Sequence, residues 1–395
     1  MSDIRIPVFK PYIAADTMEA AFDALRLGWL GMGSYVKEFE QAIATQLGLD
    51  QRERQVVAVN TGTSALHLAL LVAGVGPGDE VITPALNNIG DFQAIRMVGA
   101  DPAFCDVEEA TLGIDVNKAA ELVSPRTKAI IAVDYDGVPC DWDAVHDLAQ
   151  RRGLRVIHDA AHSFGSRHEG RPIGAFGDVV VFSFDPVKTL TCIDGGALVV
   201  SAGDDVERLH RYRLLGMDQK AERMYANARA WTYDVADCGF RYHLANLHAA
   251  IGLSQLRRLN EFVVTRRKAC RLYNRLLAGC PGLITPQTDF DDVAAFAYYL
   301  RVRDGRRERL IAGLRERGID SGIHWIPGHR FSFFRDCRRG DLSTIDRVAD
   351  ELLTLPLHSF MPPETVAQVA DAVRECLTAA AQPAPADFAA VGAGA

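Results

Sequence analysis

The chain has 395 residues, 48% of them hydrophobic and 24% charged, which is the balance of a globular protein with a buried core. Its 43 Lys and Arg against 51 Asp and Glu give a net charge of −8, which excludes a generally cationic nucleic-acid binder. The eight cysteines form no CxxC pair and the chain starts without a signal-type apolar run, so we expect a cytoplasmic protein with no metal centre and no membrane span.

The first 50 residues predict two amphipathic helices around a glycine-rich break. The helices cover Thr17–Leu27 and the apolar positions between Val36 and Leu47, and the break is Gly28-Trp29-Leu30-Gly31-Met32-Gly33.

From about residue 55, short continuous apolar runs alternate with helical segments, a pattern typical of strands buried on both faces. The predicted strands are Gln55–Val59, Glu80–Thr83, Pro102–Asp106, Ala129–Val133, Arg155–Asp159, Val179–Phe184 and Gly196–Val200. The helices between them are Ala65–Val75, Asp91–Val98, Val116–Leu122 and Trp142–Arg152. This order predicts an α/β domain with a largely parallel sheet.

The rest of the chain predicts a smaller α+β domain. It begins with one long amphipathic helix over Leu244–Leu277, which contains Gly252, and continues with a strand at Ala295–Val302 and a helix at Arg306–Arg317. The tail from Ala379 is nearly all Ala, Pro and Gly, a composition that predicts disorder. We therefore expect a large domain over residues 1–250, a small domain over 251–378 and a disordered tail over 379–395.

Three short segments suggest a site. The turn from Thr61 to Ser64 lies between a strand and a helix, where free amides favour a phosphate, although it has neither a Walker lysine nor a GxGxxG pattern. Asp159 ends a strand, at the edge where α/β folds place ligands. Lys188 follows the strand that ends in Ser183-Phe184, among apolar residues that lower the pKa of an amine by desolvation.

Each segment also has an ordinary explanation, namely a helix cap for the turn and for Asp159 and a solvated loop for Lys188. Taken together, they are the groups that pyridoxal phosphate requires. One group binds the phosphate, a carboxylate pairs with the ring nitrogen, and a lysine forms a Schiff base with the cofactor.

At these residues the chain resembles the DegT/DnrJ/EryC1/StrS family of pyridoxal-phosphate sugar aminotransferases. The resemblance covers roughly residues 5 to 376 and implies fold type I, with a mostly parallel seven-stranded sheet in the large domain and a smaller C-terminal α+β domain. Its ordered motifs are Gly28-Trp-Leu-Gly-Met-Gly33, Thr61-Gly-Thr-Ser64, Gly78-Asp-Glu-Val-Ile-Thr-Pro84, Asp159-Ala-Ala-His162, Gly174-Ala-Phe-Gly-Asp178, Phe182-Ser-Phe184, Lys188 with Gly195-Gly196, Asn246-Leu-His-Ala-Ala-Ile-Gly252, His324-Trp-Ile-Pro327 and Leu355-Pro-Leu-His358.

The resemblance implies a role for each matching residue. Lys188 forms the Schiff base and Asp159 contacts the pyridinium nitrogen. The amides of Gly62, Thr63 and Ser64 and the hydroxyl of Ser183 hold the phosphate. His162 stands where the family usually has Gln, near the ring oxygen of the cofactor.

The resemblance also predicts a homodimer whose active sites borrow residues from the second subunit. At three positions the chain departs from the family pattern. Asn88 stands where an aromatic residue normally stacks on the cofactor. Arg241 stands where an Asn reaches the neighbour's phosphate and could still bind it. Asp185 replaces a residue that is more often His or Asn.

The implied reaction moves an amino group from Glu or Gln to a keto sugar. The family's commonest activity implies a nucleotide-linked 4-keto-6-deoxy sugar as the acceptor, in polysaccharide or natural-product biosynthesis. The sugar would lie against Trp29, Met32, His324, Trp325 and His329, each of which could equally be a core or surface residue. A cyclitol ketone in aminoglycoside assembly is an alternative acceptor, and a non-catalytic pyridoxal-phosphate sensor is an alternative function. Family members that deoxygenate sugars carry His where Lys188 stands, which favours transfer.

Overall fold

A computed structural model of the chain describes residues 5–219, 221–229 and 231–378. Its centre, within those residues, is a seven-stranded sheet. The strands are β1 (Arg54–Val59), β2 (Glu80–Pro84), β3 (Asp101–Cys105), β4 (Thr127–Val133), β5 (Arg155–Asp159), β6 (Val179–Ser183) and β7 (Gly196–Ser201). They lie in the order β1-β7-β6-β5-β4-β2-β3, and β7 alone runs antiparallel to its two neighbours, β1 and β6. The predicted mostly parallel sheet is confirmed.

Helices cover both faces of this sheet, which explains why its strands read as continuous apolar runs. Val56 belongs to the same hydrophobic cluster as residues of α2 (Ser34–Leu47) and α6 (Trp142–Arg152), whereas its neighbour Val57 belongs to the cluster that includes residues of α3 (Gly62–Val72) and α7 (Asp204–Tyr212). Successive residues of one strand therefore enter two different cores.

The remaining α-helices described in the first 256 residues are α1 (Ala15–Leu27), α4 (Ile89–Met97), α5 (Val116–Leu122), α8 (Ala221–Tyr225) and α9 (Asn246–Leu256).

The single helix predicted over 244–277 is wrong, because α9 ends at Leu256 and α10 (Leu259–Leu277) begins after a two-residue turn. The turn is closed by the N–H of Arg258, which donates to the carbonyl of Gln255 at 2.9 Å. The Arg258 guanidinium also pairs with Asp16 of α1 at 3.0 Å. Gly252 lies inside α9, where a Cβ atom would come within 2.6 Å of Cys192 Sγ, so glycine serves close packing there.

A second core lies in the C-terminal part of the chain. It joins α10 to a three-stranded antiparallel sheet of β8 (Leu283–Ile284), β9 (Tyr298–Val302) and β10 (Leu352–Leu355), and to the helices α11 (Arg307–Glu316) and α13 (Pro363–Thr378). The short helix α12 (Ser343–Ala349) precedes β10. Ile6 belongs to this core, and the N–H of Leu357 donates to the carbonyl of Val8 at 3.0 Å, so the start of the chain packs with its end. The boundary at residue 250 stays a prediction.

All eight cysteines are free thiols. Within the described ranges, the model contains no helix with the length and apolar character needed to span a membrane. The tail over 379–395 lies outside the described residues.

Candidate active site

A cavity of about 430 Å³ opens where the carboxyl ends of the central strands meet the start of α3 and α4. We call it the Lys188 cavity. It brings together eight of the residues predicted from the sequence, which are Gly62, Thr63, Asn88, Asp159, His162, Ser183, Lys188 and Trp325. Asp159, the last residue of β5, pairs with Val181 of the parallel strand β6, and Ser183 ends β6 two residues later, so the side chains of Asp159 and Ser183 are on the same face at this edge of the sheet.

The first turn of α3 forms one wall of the cavity. Thr61 caps the helix: its Oγ1 accepts the N–H of Ser64 at 2.9 Å, and Ser64 Oγ accepts the N–H of Thr61 at 3.1 Å. The amide of Ser64 is therefore used within the cap, whereas Gly62 and Thr63 line the cavity. A Cβ atom on Gly62 would lie 2.9 Å from Ser183 Oγ, so only glycine lets the serine hydroxyl approach this turn.

Asp159 lies on the floor of the cavity and is buried. Its Oδ1 accepts the N–H of Ala161 at 3.0 Å, and its Oδ2 accepts Asn87 Nδ2 at 3.3 Å. Burial raises the pKa of Asp159, while these two donors and the nearby Lys188 act in the opposite direction.

Lys188 reaches the cavity from the loop after β6, where its N–H donates to the carbonyl of Asp185 at 3.1 Å. Burial lowers the pKa of the amine to about 8, against carboxylates that raise it, Asp159 first among them. Lys188 Nζ lies 4.2 Å from the centre of the Phe296 ring. A substantial fraction of this lysine is therefore a free amine near neutral pH.

Aromatic rings form the opposite wall. His162 stacks on Phe296 with 4.3 Å between ring centres and lies 6.3 Å from Trp325. Burial lowers the pKa of His162 well below its usual range, so the imidazole is neutral. His162 Nδ1 and Trp325 Nε1 are buried without a hydrogen-bond partner among the described residues, which leaves two polar atoms available to a ligand.

Asn88 is the N-cap of α4, and its Oδ1 accepts the N–H of Gly90 at 2.8 Å. It lines the cavity but offers no ring for stacking. In the described cavity wall, the aromatic side chain is instead Trp325, which comes from the distant segment before α12.

Two of the carboxyl groups that raise the pKa of Lys188 were missed by the sequence analysis. Asp91, in the first turn of α4, lines the cavity. Asp136 is buried just behind it, with its pKa raised to about 7 by burial and both carboxylate oxygens unpartnered among the described residues. Each lies shortly after a central strand, so the rule that selected Asp159 could have selected both.

Three predicted residues lie elsewhere. Trp29, Met32 and Arg241 line a second cavity of about 460 Å³, which we call the Trp29 cavity. The backbone of Arg241 is close to the first site, since its carbonyl accepts Asn60 Nδ2 at 3.5 Å, but its side chain is exposed in the Trp29 cavity. Met32 is fully buried in the core cluster under α2.

The two predicted substrate histidines do not line the Lys188 cavity. His324 lies behind Trp325, with Nδ1 2.9 Å from Thr354 Oγ1, and burial together with the charge of Lys188 lowers its pKa to about 4. His329 contacts Asp346 of α12, at 3.0 Å between Nε2 and Oδ1.

A family model described as the DegT/DnrJ/EryC1/StrS aminotransferase family matches residues 11–374. The chain belongs to this family. The match confirms the prediction of a pyridoxal-phosphate-dependent sugar aminotransferase, and the similar solved structures confirm fold type I.

The chain is similar over nearly its whole length to proteins of known name. It is 34% identical to the spore coat polysaccharide biosynthesis protein SpsC of Bacillus subtilis over 95% of this chain and 98% of that one. It is 32% identical to dTDP-4-dehydro-2,3,6-trideoxy-D-glucose 4-aminotransferase of Saccharopolyspora spinosa, over 93% and 95% of the two chains.

Two solved structures are informative. The aminotransferase TlmJ of Streptoalloteichus hindustanus is 35% identical, with a TM-score of 0.87 over 95% of this chain and 99% of that one. A putative sugar aminotransferase of Streptococcus pneumoniae, Spr1654, is 25% identical in its PLP form, with a TM-score of 0.86 over 94% and 98% of the two chains, and is also known in a PMP form. These forms support pyridoxal phosphate as the cofactor of the fold.

Proposed function

We propose that this aminotransferase moves an amino group from glutamate or glutamine to a nucleotide-linked keto sugar, most simply a 4-keto-6-deoxy sugar. The observation that carries the proposal is the meeting of Lys188, Asp159 and the Gly62–Ser183 contact in one cavity. The similarity to an aminotransferase that acts on a dTDP-linked keto sugar supports the class of acceptor.

The cavity residues fit pyridoxal phosphate. The amides of Gly62 and Thr63 and the hydroxyl of Ser183 would hold its phosphate, in a cradle that a Cβ atom at position 62 would fill. The Asp159 carboxylate would pair with the ring nitrogen and keep it protonated. Neutral His162 has an unpartnered Nδ1 and could donate to the ring oxygen without adding a charge.

When bound, pyridoxal phosphate supplies an aldehyde that condenses with amines with loss of water, and a ring that withdraws electrons. Lys188 would hold the cofactor through its Nζ, for which the lowered pKa provides the free amine. Once an amino donor has displaced it, Lys188 Nζ would take the proton from the α-carbon of the donor. In the second half-reaction, Lys188 would give a proton to the carbon of the sugar that accepts nitrogen, so that it gains no net proton over the two half-reactions. The adjacent Phe296 ring shields the amine from water.

A second copy of the chain would complete the site. α1 exposes an apolar stripe at Met18, Phe22 and Leu25, whose spacing sets them on one helix face, and Trp231 in the Trp29 cavity is 86% exposed. We infer a homodimer in which Trp29 and Arg241 of one subunit face the Lys188 cavity of the other. Met32, held in the core beside Trp29, would support that loop, and His324 and His329 would stand behind the sugar.

A cyclitol ketone is the second candidate acceptor. Four acidic residues line the Lys188 cavity, Asp91, Asp159, Asp185 and Asp194, and they suit an acceptor without phosphate. The Trp29 cavity distinguishes the two candidate acceptors, because only a nucleotide-linked sugar needs the arginines of that cavity.

The test uses the visible absorbance of the protein loaded with pyridoxal phosphate. We expect glutamate or glutamine to bleach the band and the correct keto sugar to restore it. Lys188→Ala should abolish both changes, whereas Lys128→Ala, an exposed lysine of β4, should leave them intact. Transfer by Lys188→Ala at the wild-type rate would overturn the mechanism, and a band that ignores both donors would favour a sensor.

A further inference from the structure

We propose that Asp91 is a positioning residue for Asp159: it is a neutral carboxylic acid that shares one proton with Asp159 and so leaves a single negative charge facing the cofactor. The inference rests on the proposed function, since it assumes that pyridoxal phosphate occupies the Lys188 cavity.

Asn87 joins the two acids. Its Nδ2 donates to Asp91 Oδ2 in a short contact and to Asp159 Oδ2 at 3.3 Å. Its Oδ1 accepts the N–H of Asn88 at 2.6 Å, which orients the amide so that the nitrogen faces both carboxyl groups. Asp91 is 1% exposed and Asp159 is 3% exposed, so both carboxyl groups are buried where they accept from the same Asn87 amide.

Ionising both of two adjacent buried carboxyl groups is unfavourable in free energy, because the charges repel each other and are poorly solvated, so one of them holds a proton. The hydrogen bonds decide which one. Asp159 accepts the N–H of Ala161 in addition to Asn87, and these donors stabilise its anion. Asp91 Oδ1 is buried without a hydrogen-bond partner among the described residues, so no donor stabilises a negative charge on it. Burial and repulsion by Asp159 raise the pKa of Asp91 well above its usual range.

The surrounding charges agree with one proton on the pair. Lys188 is the cation that acts on both acids. With the cofactor bound, the protonated ring nitrogen would be the cation that faces the pair directly. His158 also lowers the pKa of Asp159, but its Nε2 lies 2.7 Å from Oδ2 of Asp134, and His162 is neutral. One positive ring nitrogen opposite a pair that carries one negative charge leaves the buried site balanced.

The experiment compares Asp91→Asn and Asp91→Ala with Asp185→Asn. Asn keeps the shape and a donor but cannot ionise, whereas Ala removes the donor. Asp185 lines the same cavity, raises the pKa of Lys188 and bonds the N–H of Val187 rather than Asp159, so its variant shows the effect of removing a true anion. The readouts are the dissociation constant of pyridoxal phosphate for the cofactor-free protein and the pH midpoint of the visible band of the loaded protein.

We expect Asp91→Asn to keep the dissociation constant within about threefold and the midpoint within about half a pH unit, because no charge is lost. Asp91→Ala should weaken cofactor binding about tenfold, because Asp159 loses a donor. A midpoint in Asp91→Asn that falls as far as in Asp185→Asn would show that Asp91 is an anion and overturn the inference. Wild-type binding by Asp91→Ala would overturn it too. If wild-type protein forms no band that Lys188→Ala lacks, the proposed function fails instead.

Discussion

The Lys188 cavity and the Trp29 cavity are nearly equal in volume, about 430 and 460 Å³, but opposite in character. The first is built from strand ends and helix starts, is lined by four aspartic acid residues and has Lys188 as its cation. The second is built largely from loops, includes the exposed Trp231, and carries Arg229 and Arg241. The groups suited to bond chemistry are therefore in one cavity, and the cations suited to a nucleotide are in the other.

This division suggests that a single chain holds two halves of a site. Arg229 lies over the Trp29 ring, 5.5 Å from its centre, so the cation and the aromatic surface are already arranged together. A rigid sheet holds the reacting groups, and a loop surface on a second copy would choose the substrate.

The largest effect is expected from the Lys188 cavity. Asp159→Asn removes the anion opposite the ring nitrogen while keeping the shape of the side chain, so the rate of amino transfer should fall about a thousandfold. The rate is measured with saturating donor and cofactor. Asp147→Asn, an exposed acid of α6, is the control and should retain full activity. More than a tenth of the wild-type rate in Asp159→Asn would contradict the role of the carboxylate.

The next effect tests whether the two cavities cooperate between subunits. Lys188→Ala and Arg241→Ala should each be nearly inactive alone, but coexpression should recover about a quarter of the wild-type activity. Half of the dimers are then mixed, and each mixed dimer has one intact site. Coexpression of Lys188→Ala with Asp159→Asn is the control, because both changes are in the same cavity and no site of a shared dimer is intact. Equal activity in the two mixtures would show that the sites are not shared.

The contrast between the cavities also explains what the sequence could reveal. Asp159, the last residue of β5, was predicted as a site residue because local patterns mark strand ends, whereas the role of Ser183, the last residue of β6, came from the family resemblance. Phe296 was not predicted, and Trp325 was predicted from the resemblance alone. Both residues come from the C-terminal part of the chain, and local sequence patterns do not show where that part packs. The break between α9 and α10 was missed because no Gly or Pro marks it in the sequence; at the break, Arg258 pairs with Asp16, 242 residues earlier in the chain.

A smaller effect concerns how the Lys188 cavity acquires the cofactor. Because the pKa of Lys188 is about 8, the fraction of free amine rises about tenfold per unit as the pH increases below that value. The rate at which the visible band forms after pyridoxal phosphate is added to cofactor-free protein should therefore rise from pH 6 and level off above pH 8. In Asp185→Asn the rise should shift to lower pH, because a carboxylate that raises the pKa of the lysine is gone. A flat profile would refute a titrating amine.

The smallest effect concerns the stability cost of an acid-rich cavity. Asp136 has a usual pKa of 3.8 that burial raises to about 7, so between these values the folded chain holds a proton that the unfolded chain has released. Stability is therefore lost as the pH rises through this window and stays reduced above it. Asp136→Asn escapes this loss and should raise the melting temperature by about 2–4 °C at pH 8 but little at pH 4. Glu222→Gln, at an exposed acid of α8, should show no such pH dependence. If Asp136→Asn is less stable than wild type at pH 8, the ionised Asp136 stabilises the fold through its attraction to Lys188. The acidic groups near Lys188 would then form a balanced charge network and would not lower the free energy of unfolding.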